Sequence, residues 1–265
     1  MRRFLLIPTI VILGLSLSLS TGCKTGPTPE ETAKADMQAQ FATVKKAYSE
    51  LQQKRQELAQ LQATITEIEA VKEKKRTDEQ KSQLEEAKAK LEELGKVVDD
   101  GYNGLQNILS PLLTTLLNDY PEEPETLEAL KIYSGEAIIA ADEMVQKSGD
   151  YKKAMESLAN AEQYYTAIGK APYPSLEDKI KAYEEWRFIT KERFDLVKKG
   201  MTEEEVKELV GVPYYRNIQE DKKKGVTAWL YKKREGGGAG IYFKTKTHKV
   251  YSMNWNALKT KVVDK

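Results

Sequence analysis

The stretch that decides the fold lies near the C-terminus and reads FDLVKKGMTEEEVKELVGVPYYRNI, residues 194–218. Thr202 opens a T-x-x-E pattern, which predicts a helix whose N-terminus is closed by a capping box. Gly200 is predicted to end the preceding helix in the left-handed conformation. Gly211 and Pro213 are predicted to end the short helix, because proline cannot continue it. The pattern therefore predicts two consecutive helices with a sharp turn after the second.

Three candidate strands follow this helix. They are TAWLYKK, GIYFKTK and KVYSMNW, at residues 227–233, 240–246 and 249–255, and residues 214–218 are a candidate edge strand. Glycines at positions 236–238 and 240 predict a flexible turn, and Thr247 and His248 predict a hairpin turn. Residues 193–260 are therefore predicted to form a domain of two helices and a three- to four-stranded antiparallel sheet.

In these elements the chain resembles the SmpA/OmlA (BamE-like) domain family of outer-membrane assembly lipoproteins. The resemblance covers about a quarter of the chain and is carried, in order, by Gly200-Met201-Thr202, Leu209-Val210-Gly211-Val212-Pro213, Trp229-Leu230-Tyr231 and Ile241-Tyr242-Phe243. It implies two helices packed on one face of a small antiparallel sheet. It also implies a binding scaffold whose partners are envelope proteins, among them the β-barrel assembly machinery. No motif for the family's lipid or partner contacts is present in this sequence.

Two heptad stripes precede this domain and predict a long antiparallel coiled-coil hairpin over residues 31–118. The stripes are Met37, Val44, Leu51, Leu58 and Ile65, and then Leu84, Leu91, Val98, Leu105 and Leu112. Thr77 predicts the start of the second helix, and Leu51 is expected to lie opposite Gly101. Pro111 is predicted to begin a fresh helix, since proline is tolerated at the first helical position. The stripes either pack only on each other or also on a third helix.

Residues 124–192 are predicted to form a small helical bundle, with helices near 126–146, 150–168 and 175–198. The second of these resembles the second helix of a tetratricopeptide unit at Gly149, Asp150, Tyr151, Ala154, Leu158 and Ala161. A solenoid of such units needs about three repeats, and the chain has at most one and a half. The alternative is a bundle that uses small residues where its helices cross. With the hairpin and the C-terminal domain, this predicts a mostly α, α+β fold.

The N-terminus predicts a secretory signal over residues 1–22, with a basic start, an apolar core and small residues before Cys23. Cys23 is the only cysteine in the chain, and this arrangement resembles a bacterial lipoprotein signal. The resemblance implies that Cys23 is lipidated and that residues 23–30 tether the fold to a membrane. Lys24 stands where an aspartate would signal retention in the inner membrane, which implies the outer membrane. An ordinary secreted protein or an uncleaved anchor is the alternative.

Composition argues against several classes of function. The chain has 42 Lys and Arg against 41 Asp and Glu, which gives no support for nucleic-acid binding. The only histidine, His248, lies in a predicted turn, and with Cys23 lipidated no Cys/His metal site or nucleophilic relay can be assembled. We therefore expect neither a cofactor nor a metal, and we expect that the protein is not an enzyme.

The sequence thus predicts a lipid-anchored periplasmic interaction protein, with a role in outer-membrane protein assembly or envelope integrity. A candidate partner surface consists of the aromatic residues Tyr214, Tyr215, Trp229, Tyr231, Tyr251 and Trp255, some of which are expected to be exposed. The alternative function is a peptidoglycan-associated tether, joined through the terminal Lys265, or a component of a secretion or motility complex. An enzyme inhibitor or an enzyme is a remote alternative.

Overall fold

The computed structural model describes residues 27–259, which form a helical part followed by a small α+β part. The helices are α1 (Pro29–Ala70), α2 (Asp78–Asp119), α3 (Pro124–Ser148), α4 (Tyr151–Ala167), α5 (Pro174–Trp186), α6 (Lys191–Leu196) and α7 (Glu203–Val210). The strands are β1 (Ile218–Asp221), β2 (Val226–Lys232), β3 (Gly238–Lys244) and β4 (Lys249–Leu258). The predicted fold class is confirmed. Cys23, the predicted lipidation site, and Lys265 lie outside the described residues.

Helices α1 and α2 form the predicted antiparallel hairpin, here called the arm. Each has 42 residues, so the arm is about 63 Å long at 1.5 Å per residue. Thr28 and Thr77 both close capping boxes at the helix starts. A Cβ atom built on Gly101 would lie 3.4 Å from Leu51 Cδ1, so these residues face each other as predicted. The heptad pattern therefore gave the correct helix register.

The prediction that Pro111 starts a new helix is wrong, because α2 runs through it without interruption. Pro111 is exposed to solvent. A proline removes the hydrogen bond to the carbonyl four residues earlier, here that of Asn107. On an exposed face water can satisfy that carbonyl, and the burial of the leucines that follow Pro111 favours a continuous helix.

The base of the arm packs on α3, while its outer part has only two helices. Leu105, Leu109 and Leu116 of α2 are fully buried in one core with Leu130 of α3 and Leu158 of α4. A separate small cluster near the tip contains Ile65, Ile68, Leu84 and Ala87. At its base the arm therefore packs on a third helix, whereas near its tip the two helices pack only on each other.

A buried ion pair also joins the arm to α3. Arg55 of α1 donates two hydrogen bonds to the Glu136 carboxylate, at 2.6 and 2.8 Å. Gln52 Nε2 donates to the same carboxylate at 3.3 Å. The Glu136 side chain is 1% exposed, and that of Arg55 is 19% exposed. Because these contacts join residues more than 80 positions apart, they fix where the third helix crosses the arm.

Helices α3, α4 and α5 pack in sequence against one another. Gly149 ends α3 with φ of 62°, and the side chain of Asp150 caps α4 by accepting from the Lys153 backbone N–H. Ala154 and Ala161 are fully buried, as expected where helices approach closely. The tetratricopeptide-like character of this unit stays a prediction.

The prediction of one continuous helix over residues 175–198 is wrong, because this segment forms two helices, α5 and α6. Residue 190 is extended, and its hydroxyl caps α6. The Ile189 N–H donates to the Lys232 carbonyl of β2 at 2.9 Å. In a continuous helix the same N–H would donate to a carbonyl of the helix itself. A contact with a strand more than 40 positions away in sequence overrides the local helical preference.

The C-terminal sheet has the order β1-β2-β3-β4, and all its neighbours are antiparallel. Strand β1 begins only at Ile218, because a short 3-10 turn occupies Tyr215–Asn217, so the edge strand predicted at 214–218 is largely wrong. Of the glycines predicted to form the β2–β3 turn, only Gly236 and Gly237 lie in it. Gly238 and Gly240, predicted in that turn, lie inside β3.

The capping box at Thr202 and the helix end at Gly211 are confirmed. Gly200 has a φ of 91° but does not cap the preceding helix, which ends at Leu196. Its N–H instead donates to the Val250 carbonyl at 2.8 Å, because the backbone before α7 pairs with the start of β4. Helices α6 and α7 pack with one face of the sheet, as the resemblance implied.

Candidate partner-binding site

The hydroxyl of Tyr151 links the bundle to the turn after α7, and the hydroxyl of Tyr231 holds the same turn within the C-terminal domain. The hydroxyl of Tyr151, the first residue of α4, accepts from the Val212 N–H at 3.0 Å. Tyr231 of β2 donates from its buried hydroxyl to the Gly211 carbonyl at 3.0 Å. Both bonds satisfy backbone groups of the turn after α7, which would otherwise be buried without partners. This junction gives the neighbouring surface a rigid support.

Burial of these tyrosines predicts a loss of stability in alkali. Burial raises the pKa of Tyr151 and of Tyr231, and burial together with the Asp142 carboxylate raises that of Tyr183. The unfolded state therefore releases these protons first, near pH 10, so the contribution of these tyrosines to stability should be fully present below that pH and be lost as the pH rises above it. Above pH 10 each of these tyrosines lowers the free energy of unfolding by up to about 1.4 kcal/mol per pH unit.

Urea unfolding between pH 8 and 11 measures this slope. Tyr231→Phe removes one of the titrating groups, so its stability should fall less steeply above pH 10 than that of the wild type. The comparison uses the slope with pH and not the absolute stability, since the variant also loses the bond to Gly211. Identical slopes would contradict the assignment of Tyr231.

A groove of about 510 Å³ lies between the segment that joins α5 to α6 and the end of β2. We call it the α5–α6 groove. Its lining residues are 185–186, 188–193, Arg234, Glu235 and Trp255. Arg193 holds the connecting segment in place by donating to the Glu185 and Phe188 carbonyls, at 2.9 and 2.5 Å. The groove is thus built from two elements that the Ile189–Lys232 backbone bond ties together.

Three aromatic rings line this groove, and cations lie over each of them. The Arg193 guanidinium is 4.5 Å from the Trp186 ring, and that of Arg234 is 4.7 Å from the Phe188 ring. Lys191 Nζ is 5.9 Å from the Trp255 ring, which also packs on Phe194 of α6. Trp186 and Trp255 are half-buried. Tryptophan and arginine are the residues enriched at the energetic centres of protein interfaces.

The charges in the α5–α6 groove are nearly balanced. Arg234 pairs with Glu184 at 3.6 Å, and Lys191 pairs with Asp195 at 2.5 Å. Burial lowers the pKa of the Arg193 guanidinium, which nevertheless stays protonated at neutral pH. A balanced polar rim around aromatic rings suits a protein surface better than a small anion.

The structure separates the six aromatic residues predicted as one partner surface. Trp229 and Tyr231 are only 3% and 7% exposed, so their place in an exposed patch was a wrong prediction. Their side chains point to the core face of β2, where Trp229 packs on Phe243 at 4.4 Å between ring centroids. Trp255 alone of the six lines the α5–α6 groove.

The three remaining aromatic residues lie elsewhere. Tyr214 and Tyr215 pack on each other beside the junction, at 5.0 Å between centroids. Tyr251 is on the opposite face of the sheet from the core. The motif residues Gly200, Met201, Thr202, Gly211 and Pro213 form turns, caps and packing contacts around α7.

Sequence reasoning missed most of the α5–α6 groove. Trp186, Phe188 and Arg193 were placed inside one continuous helix, and Arg234 was placed beside a turn. A signal was present in EEWRFITKER, residues 184–193, where aromatic and cationic residues alternate. What that stretch could not show is that the chain leaves the helix there and meets β2.

Among residues 27–259 no cluster of three His, Cys, Asp or Glu side chains is arranged to hold a metal ion. His248 lies in the β3–β4 turn, where Nδ1 is 2.9 Å from a Glu203 carboxylate oxygen. No helix within the same residues is both long and apolar enough to cross a membrane. Comparison with protein-family models, curated proteins and solved structures gave no significant match to this chain.

Proposed function

We propose that this protein is a lipid-anchored scaffold at the periplasmic face of the outer membrane, which binds another envelope protein through the α5–α6 groove. The observation that carries the proposal is the groove itself, where three aromatic rings and their cations line two segments joined by the backbone bond between Ile189 and Lys232. A preorganised site binds with a smaller loss of conformational entropy. The resemblance to BamE-like domains supports the β-barrel assembly machinery as the partner.

The arm favours a second candidate function, that of a spacer. Its length of about 63 Å would carry a bound partner well away from the attachment point of the chain. A spacer role and a scaffold role use different parts of the molecule, so groove variants separate them. A pure spacer would be insensitive to changes in the α5–α6 groove.

If Cys23 carries the lipid, replacing this one residue should abolish membrane anchoring. Cys23→Ser should abolish incorporation of labelled palmitate and move the protein from the membrane fraction to the soluble periplasmic fraction, because several acyl chains are needed for stable anchoring. Fractionation of cells with and without the substitution measures this. Unchanged membrane recovery and labelling would contradict the lipoprotein assignment.

The partner proposal is tested by crosslinking in cells, followed by affinity purification. The wild type should recover subunits of the β-barrel assembly machinery. Arg234→Glu, which reverses an exposed charge over Phe188, should reduce that recovery at least fivefold. Lys131→Glu on the exposed side of α3 is the matched control and should leave it unchanged. Absence of these subunits from the wild-type sample would refute an assembly role.

A further inference from the structure

The outer face of the sheet carries an open groove that the α5–α6 groove does not include. It has a volume of about 670 Å³ and lies over Ala228, Tyr242 and Tyr251. The planes of the two tyrosine rings are inclined at 63°, with centroids 6.4 Å apart, and Tyr251 is 37% exposed. They form an aromatic floor, which we call the tyrosine floor. Its residues lie opposite the core because side chains alternate along a strand.

Lysines from two turns surround one end of the tyrosine floor. Lys222, Lys223 and Lys224 of the β1–β2 turn line the groove, and Lys244, Lys246 and Lys249 lie in or directly beside the adjacent β3–β4 turn; we call all six the lysine rim. The Thr245 N–H donates to the Gly225 carbonyl at 3.1 Å, which holds the β1–β2 and β3–β4 turns side by side. Lys244 Nζ lies 4.6 Å from the Tyr251 ring centroid. The rim and the floor therefore belong to one surface.

Glu220 and Asp221 line the groove together with Lys222, Lys223 and Lys224, so the six lysines of the rim outnumber the two carboxylates of the groove lining. Lys224 pairs with Asp221 at 3.2 Å, whereas Lys222, Lys223, Lys246 and Lys249 have no carboxylate within 4.0 Å among the described residues. An acidic ligand is the electrostatic complement of such a surface.

The shape of this surface favours a polymer chain over a membrane. A protein that inserts into a bilayer interface presents protruding apolar side chains. Here the aliphatic neighbour Val226 is buried and Ala228 is small, and the tyrosines form the floor of a groove instead of protruding from it. A strand lying in the groove can contact the rings and the ammonium groups together.

We propose that the tyrosine floor and the lysine rim bind an acidic glycan, namely a saccharide strand that bears carboxylates. The C–H faces of sugar rings would pack on Tyr242 and Tyr251, whose ring faces carry partial negative charge. The lysine ammonium groups would form charge-assisted hydrogen bonds with the carboxylates. This ligand and surface are distinct from the partner and groove proposed above. Only the choice of peptidoglycan as probe rests on the proposed location in the cell envelope.

Cosedimentation of the detergent-solubilised full chain with purified sacculi tests the proposal, since peptidoglycan carries both sugar rings and stem-peptide carboxylates. The triple substitution of Lys222, Lys223 and Lys224 by Glu should weaken binding at least tenfold. The same change at Lys72, Lys74 and Lys75 on the arm tip is the charge-matched control and should not alter it. Tyr251→Ala should weaken binding, and Tyr215→Ala, an exposed tyrosine elsewhere, should not.

Three further measurements make the result decisive. Amidation of the sacculus carboxylates should abolish binding, and circular dichroism should show that every variant is folded. Bound protein should be released by boiling in detergent, unlike protein joined covalently through Lys265.

Equal binding of wild type and rim triple variant would overturn the proposal. Binding to phosphatidylglycerol vesicles but not to sacculi would also overturn it and would identify a lipid surface as the ligand. Because these assays use purified components, a failure here would leave the partner-protein proposal unaffected.

Discussion

Arg55→Ala should lower the free energy of unfolding by about 3–5 kcal/mol, because it leaves a buried carboxylate without its partner. Glu136 is 1% exposed and receives both guanidinium hydrogen bonds, so no water can replace them without rearrangement. Gln52 alone, at 3.3 Å, cannot compensate a full negative charge. Urea unfolding of the variant and of the wild type measures the difference.

Replacing both partners should cost far less than removing one. The double variant Arg55→Met with Glu136→Met removes both charges together, and its unfolding free energy should lie within about 2 kcal/mol of the wild type. Glu128→Gln breaks the exposed pair with Lys45, whose atoms are 3.7 Å apart, and should cost less than about 1 kcal/mol. If Arg55→Ala were no more harmful than Glu128→Gln, the buried pair would not be what joins the arm to α3.

Gly149→Ala should have an effect of similar size at the junction. Gly149 has φ of 62°, and an added Cβ would lie 2.3 Å from the Pro213 carbonyl oxygen and 2.5 Å from its carbon. Left-handed backbone costs a residue with a Cβ roughly 1–2 kcal/mol, and overlap with backbone atoms requires the two parts of the molecule to separate. We expect a total loss of about 3 kcal/mol or more from these two terms.

Gly169→Ala separates these two terms. Gly169 has almost the same conformation, with φ of 66°, but a Cβ there would meet nothing within 4 Å. It should therefore lose only the backbone term of about 1–2 kcal/mol. Hydrogen exchange gives a local readout, because the Val212 N–H that bonds to Tyr151 should exchange faster in Gly149→Ala alone. Equal losses and equal exchange in both variants would show that the junction tolerates the added methyl group.

The arm was the most predictable part of the fold. Apolar residues seven positions apart and the capping box at Thr77 are local signals, and they predicted the start of α2 and the contact between Leu51 and Gly101. Strands β2, β3 and β4 were also predicted close to their observed bounds, because alternation and turn residues are likewise local. Pro111 was misjudged because its effect depends on whether the carbonyl it leaves unpaired faces solvent or the core.

The α5–α6 groove was poorly predicted for a physical reason. Residues 187–190 leave the helix because the Ile189 N–H bonds to the Lys232 carbonyl, and no local pattern records a bond to a distant strand. The same applies to Trp229 and Tyr231, since alternation shows that a strand has two faces but not which one is covered. Trp255 became part of the groove only because α6 brought Phe194 beneath it.

The sequence by itself determined the heptad pairing of the arm, the start of its second helix, the short helix α7 with its cap and its end, the class of the fold and the expectation of a lipid at Cys23. Each of these depends on residues within a few positions of one another. Only the tertiary structure decided that α3 covers the base of the arm, that a groove forms between α5, α6 and β2, and that lysines from two turns meet beside the tyrosine floor. Those features arise where segments far apart in sequence meet, and burial and backbone bonding at that contact outweigh local preference.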